Sequence, residues 1–147
     1  MIATHLQPSS GLPILLVEDN PVDIDLTCRA FARNRLANPI SIARDGEEAL
    51  GLMQRWEDGE LPPSLILLDI KLPRVDGLEV LRHLKTHPVF RRIPVVVLTS
   101  SSEDRDLLDA YALGVNSFIV KPIDFDRFVE TASQIERYWC ELNQHPS

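Results

Sequence analysis

Five residues of this 147-residue sequence carry the side chains that phosphoryl chemistry requires, and all stand where a short apolar run ends. They are Glu18, Asp19, Asp69, Thr99 and Lys121. Carboxylate oxygens are the ligands that Mg²⁺ takes in proteins, commonly together with phosphate oxygens. A lysine ammonium and a hydroxyl group bind phosphoryl oxygens, and a carboxylate such as that of Asp69 can act as the nucleophile that forms an acyl phosphate.

The apolar runs that precede these residues predict the strands that position them. Residues 14–17, 65–68, 95–98 and 118–120 form short, continuous apolar runs, the pattern typical of strands buried on both faces of a parallel sheet. Ligands bind at the carboxyl ends of such strands. We therefore expect the five residues to meet at one edge of one sheet.

The remaining pattern completes an α/β fold. A short strand with alternating apolar residues is predicted at 39–43, and a helix is predicted after every strand. The helices are expected to begin near Pro21, Asp45, Gly77, Ser102 and Asp124. Five strands alternating with five helices predict a doubly wound, five-stranded parallel sheet with right-handed crossovers and helices on both faces.

Length and charge limit the domain organisation and the classes of partner. Residues 1–12 predict a flexible leader, residues 13–143 one domain, and residues 144–147 a tail. The 15 basic and 22 acidic residues give a formal net charge of −7, which argues against binding to nucleic acid or to an anionic membrane.

Cysteine content and hydropathy predict a cytoplasmic protein. Cys28 and Cys140 are far apart in the sequence and do not suggest a disulfide scaffold, so both are expected to be reduced thiols. The sequence has neither a secretion signal at its start nor an apolar run of about 18 residues that could span a membrane.

Each candidate site residue, taken singly, also has a structural explanation. Glu18 and Asp19 fit a helix cap and first turn, Asp69 fits a turn, and Thr99 and Lys121 fit loops. Their joint placement at the ends of predicted strands favours a phosphoryl-binding and metal-binding site over five separate structural roles. Two like charges about 4 Å apart cost roughly 4 kcal/mol at an effective dielectric near 20, and one lysine cannot neutralise three carboxylates. A divalent cation would neutralise them, and oxygen ligands favour Mg²⁺.

From about residue 13 to residue 135, the sequence resembles the receiver domains of two-component response regulators. The matching stretches, in the family's order and spacing, are residues 14–21, 45–50, 65–69, 72–77, 93–99 and 118–122. The resemblance implies a flavodoxin-like fold in which Asp69 accepts a phosphoryl group from a phosphohistidine of a sensor histidine kinase. It also implies that Glu18, Asp19, Asp69 and the backbone carbonyl of Lys71 hold Mg²⁺.

The resemblance assigns roles to further residues around Asp69. Thr99 and Phe118 occupy the switch positions, where the hydroxyl moves toward the phosphoryl group and the aromatic ring follows inward. Lys71 and Ser101 occupy two variable positions that influence the lifetime of the acyl phosphate. The long cationic side chain of Lys71 could contact the phosphoryl group or obstruct the attacking water, so we hypothesise slow self-dephosphorylation.

Residues 59–63, 85–98 and 136–140 resemble, within that family, the small regulators paired with cyanobacterial and bacterial phytochromes. Because so few residues follow the last predicted helix, we expect no output module and expect signalling through protein contacts. One predicted contact is a homodimer through helix 4, strand 5 and helix 5, with Tyr138 and Trp139 at the far end of helix 5. An alternative role is a phosphorelay intermediate that passes the phosphoryl group to a histidine phosphotransfer protein.

Two other classes of protein share parts of this pattern. Mg²⁺-dependent phosphatases of the haloacid dehalogenase type have a second aspartate two residues after the nucleophile, where this chain has Lys71. A flavodoxin-like cofactor binder requires hydrogen-bond donors for a phosphate after the first strand, where Glu18 and Asp19 would repel it. We therefore expect a phosphoacceptor signalling protein with at most slow self-dephosphorylation, not an enzyme that turns over small phosphate esters.

Overall fold

The computed structural model describes residues 13–33, 39–99, 104–115, 117–121 and 125–135, and these residues form alternating strands and helices. The strands are β1 (Ile14–Val17), β2 (Ile40–Ala43), β3 (Leu65–Leu68), β4 (Val95–Thr99) and β5 (Ser117–Val120). The helices are α1 (Pro21–Ala32), α2 (Gly46–Glu57), α3 (Gly77–Thr86), α4 (Asp104–Ala112) and α5 (Phe125–Ile135), with a 3-10 turn at Phe90–Arg92. The predicted alternation of strands and helices is confirmed.

Some predicted features lie outside the described residues. They are the leader at residues 1–12, the tail at 144–147, Ser101, Ser102, Tyr138, Trp139 and Cys140. The homodimer that would use Tyr138 and Trp139 therefore stays a prediction. Within the part of the chain that the structure describes, no helix has both the length and the apolar character required to cross a bilayer.

The five strands form one parallel sheet in the order β2-β1-β3-β4-β5. Successive strands in the chain are added on one side of β1 and then on the other, so the direction of winding reverses between β1 and β3. Such a switch point leaves a crevice at the carboxyl ends of the two central strands, where ligands bind in open α/β sheets. The predicted doubly wound, flavodoxin-like fold is confirmed.

The sheet separates two hydrophobic layers. Alternate residues of β1 face opposite sides, so that Leu15 and Val17 pack under α2 and α3 while Ile14 and Leu16 pack under α1 and α5. Every residue of β1 and β3 is buried. Burial of each such Leu, Ile or Val side chain contributes roughly 1.5–3 kcal/mol, so the two central strands are firmly anchored. Their carboxyl ends are consequently fixed points for the site.

Two glycines bring the loop between β3 and α3 close to that edge. A Cβ atom on Gly77 would collide with the backbone of Asp69 and Ile70, and a Cβ atom on Gly46 would collide with the backbone of Val75. Gly77 N also donates a hydrogen bond to Ile70 O at 3.1 Å. The loop therefore lies tightly against the residue that follows β3, and that residue is Asp69.

Candidate functional site

The end of β1 supplies two carboxylates with opposite exposure. Glu18 N donates to Ala43 O at 2.9 Å, which extends the β1–β2 pairing by one residue, and the Glu18 side chain is 3% exposed. Asp19 is exposed. Asn20 then caps α1, and its Oδ1 accepts hydrogen bonds from the backbone N–H groups of Val22 and Asp23 in the first turn. A buried and an accessible carboxylate thus stand side by side at the sheet edge.

The end of β3 supplies Asp69, which is also buried, at 4% exposed. Asp69 N donates to Val17 O at 3.0 Å, and Lys71 N donates to Asp69 Oδ1 at 2.9 Å. These contacts fix both the backbone and the carboxylate, and they place the backbone of Lys71 beside it. One carboxylate oxygen each from Glu18, Asp19 and Asp69 lies within 4.8 Å of the others. The structure brings the three predicted acids together.

Lys121 reaches this cluster from the end of β5. Its Nζ donates to Glu18 Oε1 at 2.7 Å, to Asp23 Oδ2 at 2.7 Å and to Asp69 Oδ2 at 3.3 Å. The Lys121 side chain is 14% exposed. Hydrogen bonds to ionised partners that are this well shielded from water are stronger than those between neutral groups. The ammonium is therefore the central cation of the site.

The electrostatic balance of the site leaves the carboxylates short of positive charge. Burial raises the pKa of Glu18 to about 7; Asp69 also raises it, whereas the hydrogen bond from Lys121 and its charge oppose the rise. Burial acts to lower the pKa of Lys121, but its hydrogen bonds to Asp23 and Glu18 and the negative charge of Asp69 raise it above the ordinary value. A further cation would relieve this imbalance, and hard oxygen ligands suit a divalent one.

This imbalance predicts a pH-dependent stability of the metal-free protein. Between about pH 4.5 and 7 the folded state holds a proton on Glu18 that the unfolded state has released. The free energy of unfolding should therefore fall as the pH rises through this window, by at most about 3 kcal/mol. Urea unfolding at a series of pH values in the presence of a chelator measures this slope.

Glu18→Gln provides the control, because it removes the titrating group and should flatten that part of the pH profile. Added Mg²⁺ should also flatten it, since a cation stabilises the ionised carboxylate. An identical slope in wild type and Glu18→Gln would assign the pH dependence to other groups.

The two predicted switch residues lie on neighbouring strands at the same edge. Thr99 is the last residue of β4, and it pairs in register with Val120, the residue before Lys121. Phe118 lies within β5 and pairs with Val97. The backbone thus carries Thr99 to the sheet edge where Glu18, Asp69 and Lys121 meet, and Phe118 lies two positions further back along the sheet.

Asp23 is a member of the site that the sequence pattern did not reveal. It lies in the first turn of α1, and its carboxylate is as close to Lys121 as that of Glu18. In the sequence, Asp23 is only an acidic residue three positions after a helix-capping Asn. An acid at this position usually indicates no more than a favourable interaction with the helix dipole. Nothing in the spacing linked it to a lysine 98 positions away.

Comparison with known proteins identifies the family. The family model for the response regulator receiver domain matches residues 14–133. The chain belongs to this family. Receiver domains of this type are signalling proteins of two-component systems and interact with sensor histidine kinases. The family resemblance noted in the sequence is thereby confirmed.

Two curated relatives match this chain over nearly its whole length. A probable methanogenesis regulatory protein, FilR2 of Methanothrix harundinacea, is 44% identical over 142 residues, which are 96% of this chain and 92% of FilR2. The response regulator Rcp1 of Synechocystis is 38% identical over 136 residues, covering 91% of this chain and 92% of Rcp1.

Solved structures agree with the sequence relatives. The crystal structure of the phosphorylated cyanobacterial phytochrome response regulator RcpA has a TM-score of 0.84 at 36% identity, covering 93% of this chain and 99% of RcpA. The Mn²⁺-bound form of Rcp1 has a TM-score of 0.81 at 36% identity, covering 92% of this chain and 99% of Rcp1. The receiver is thus related to phytochrome response regulators, and its acidic cluster together with the Mn²⁺-bound relative suggests divalent metal binding.

Proposed function

We propose that Asp69 accepts a phosphoryl group from a phosphohistidine of a sensor histidine kinase in a Mg²⁺-dependent reaction. The observation that carries this proposal is the setting of the Asp69 carboxylate. It is buried at a strand end, has two further carboxylates within 4.8 Å, and has an ammonium 3.3 Å from Oδ2. A nucleophilic carboxylate, a set of metal ligands and a cationic partner for phosphoryl oxygens therefore occupy one place.

The reaction transfers the phosphoryl group from nitrogen to oxygen. An oxygen of Asp69 forms a bond to phosphorus while the bond from phosphorus to the kinase imidazole breaks, and the departing imidazole takes up a proton from solvent. Bound Mg²⁺ would supply charge neutralisation for the phosphoryl oxygens. Lys71 N holds Asp69 Oδ1 at 2.9 Å, which orients the carboxylate for attack. Lys121 lies beside the other oxygen and provides a partner for the arriving anion.

The ligands proposed for Mg²⁺ are Glu18, Asp19, Asp69 and the backbone carbonyl of Lys71. Mg²⁺ commonly keeps several waters and takes one or two carboxylates, so this donor set is sufficient. The exposed Asp19 leaves the cluster open to solvent on one side. This opening supports entry of both a hydrated cation and a kinase histidine.

The phosphorylated state is proposed to signal through protein contacts made after Thr99 and Phe118 change position. Both residues lie on β4 and β5, the strands next to the site on the side away from β1. We propose a phytochrome-type kinase as the partner, because the cyanobacterial phytochrome response regulator RcpA resembles this chain over 93% of this chain's length.

Wild-type protein incubated with acetyl phosphate or with a phosphorylated histidine kinase tests this proposal by intact mass. Addition of one phosphoryl group in Mg²⁺, and its absence in a chelator, is the expected result. Calcium, which differs from Mg²⁺ in preferred geometry, provides a control for general charge screening. Labelling that is equally efficient in chelator would contradict a metal-dependent site.

Lys71 is proposed to slow hydrolysis of the acyl phosphate. Its backbone N donates a hydrogen bond to Asp69 Oδ1 at 2.9 Å, so the Lys71 side chain starts beside the carboxylate that accepts the phosphoryl group. Lys71→Asn should shorten the phosphoryl lifetime several-fold, because a shorter neutral side chain shields the acyl phosphate less and contributes no positive charge. Decay of labelled protein after removal of acetyl phosphate measures the lifetime. An unchanged lifetime would remove Lys71 from this role.

A further inference from the structure

The first turn of α1 holds Asp23 in a defined position facing β5. Asn20 Oδ1 accepts hydrogen bonds from Val22 N at 2.8 Å and from Asp23 N at 3.3 Å. This cap fixes the backbone of the turn, as an Asn at this position commonly does. The Asp23 side chain is 27% exposed and reaches Lys121 at 2.7 Å. The contact therefore joins the start of α1 to the end of β5 across the site.

Lys121 divides its hydrogen bonds between two kinds of carboxylate. Glu18 and Asp69 belong to the cluster whose oxygens lie within 4.8 Å of one another and could hold a metal ion. Asp23 is not among the three members of that cluster, although it is as close to Lys121 Nζ as Glu18 is. One of the three anions around the ammonium can thus stay with it when a cation engages the other two.

This division has opposite consequences for a cation and for an anion at the site. A divalent cation held by Glu18 and Asp69 would draw on their negative charge and place a second positive charge near the Lys121 ammonium. The Asp23 carboxylate compensates the ammonium and so favours the cation. A phosphoryl group on Asp69 is itself negative and must draw Lys121 toward it, so the same carboxylate disfavours the anion.

We propose that Asp23 is a positioning residue that sets the balance between metal affinity and phosphoryl affinity by retaining the Lys121 ammonium. The proposal rests on the proposed function of Asp69 as phosphoryl acceptor. It assigns Asp23 neither metal ligation nor contact with the phosphoryl group. Its action passes through the charge and the position of the Lys121 ammonium.

Asp23→Asn should shift the two affinities in opposite directions. Binding of Mg²⁺ alone, measured by calorimetry, should weaken about fivefold, and binding of beryllium fluoride in saturating Mg²⁺ should strengthen by a similar factor. Asp23→Ser removes the same charge with a different side chain that also suits a helix start, and should behave alike. Asp23→Glu keeps the charge and should restore both affinities toward wild type.

Asp25→Asn is the matched control on the same helix. Asp25 pairs with Arg29 at 2.6 Å on the exposed face, with a side chain that is 60% exposed, so its loss should leave both affinities unchanged. Urea unfolding of every variant verifies that it is folded. Equal affinities in Asp23→Asn and wild type would overturn the proposal, and so would a joint loss of both affinities, which indicates general damage to the site.

Measurements on wild type test the proposed function of Asp69, and measurements on Asp23→Asn test the role of Asp23. If wild type binds Mg²⁺ but neither binds beryllium fluoride nor accepts a phosphoryl group, the proposed function fails. The Mg²⁺ measurement on Asp23→Asn still decides whether Asp23 supports the cation. If wild type is phosphorylated normally and Asp23→Asn shows no shift in opposite directions, only the role of Asp23 is lost.

Discussion

Asp69→Asn should abolish Mg²⁺-dependent incorporation of a phosphoryl group while the fold persists. The amide has the shape of the carboxylate, and its oxygen can still accept the hydrogen bond that Lys71 N donates to Oδ1 at 2.9 Å. It is, however, neutral and a far weaker nucleophile, and it removes one of the three clustered carboxylates. Because that removal relieves repulsion with Glu18, the metal-free variant should be at least as stable as wild type. Intact mass after incubation with acetyl phosphate measures the labelling.

A variant that loses a carboxylate outside the site is the control for Asp69→Asn. Asp25→Asn changes the charge by the same amount on an exposed helix face and should label like wild type. Urea unfolding should show that Asp69→Asn has lost no stability, which would separate loss of the acceptor from loss of structure. Labelling of Asp69→Asn at the wild-type level would place the acceptor on another residue.

The sheet was predictable because its central strands are buried on both faces. All four residues of β1 and of β3 are buried, so nothing in those runs needs to be polar and the sequence shows continuous apolar stretches. Ile40 and Ile42 alternate with polar neighbours in β2, which is an edge strand of the sheet. The placement of Glu18, Asp69 and Lys121 follows directly, since each comes at the end of a parallel strand.

The differences among the site carboxylates were not predictable in the same way. Glu18 and Asp19 are neighbours with similar chemistry, yet the Glu18 side chain is buried beside Lys121 whereas Asp19 is exposed. The contact between Asp23 and Lys121 depends on how α1 is rotated against the end of β5. That rotation is set by packing among α1, α5 and the sheet, which no local spacing in the sequence encodes.

Lys121→Met should destabilise the metal-free protein by about 3 kcal/mol at pH 8, because it leaves buried carboxylates without their cation. Glu18 and Asp69 would then lie together at a sheet edge with neither an ammonium nor a metal ion between them. At pH 5 the cost should be smaller. The pKa of Glu18 is raised to about 7, so in wild type this carboxyl is already largely protonated at pH 5 and gains less from the lysine. Urea unfolding at both pH values measures the difference.

Mg²⁺ should restore much of the stability of Lys121→Met at pH 8, since a cation bound by Glu18 and Asp69 takes over the neutralisation that the ammonium provided. Lys85→Met is the matched control. Lys85 is a partly buried lysine whose Nζ donates to Arg91 O at 3.1 Å and to Ile93 O at 2.9 Å. Its loss removes hydrogen bonds to neutral carbonyls, so it should destabilise the protein without rescue by Mg²⁺. Equal rescue of both variants would mean that Mg²⁺ acts on the protein generally, and no rescue of Lys121→Met would contradict a shared site for the ammonium and the metal.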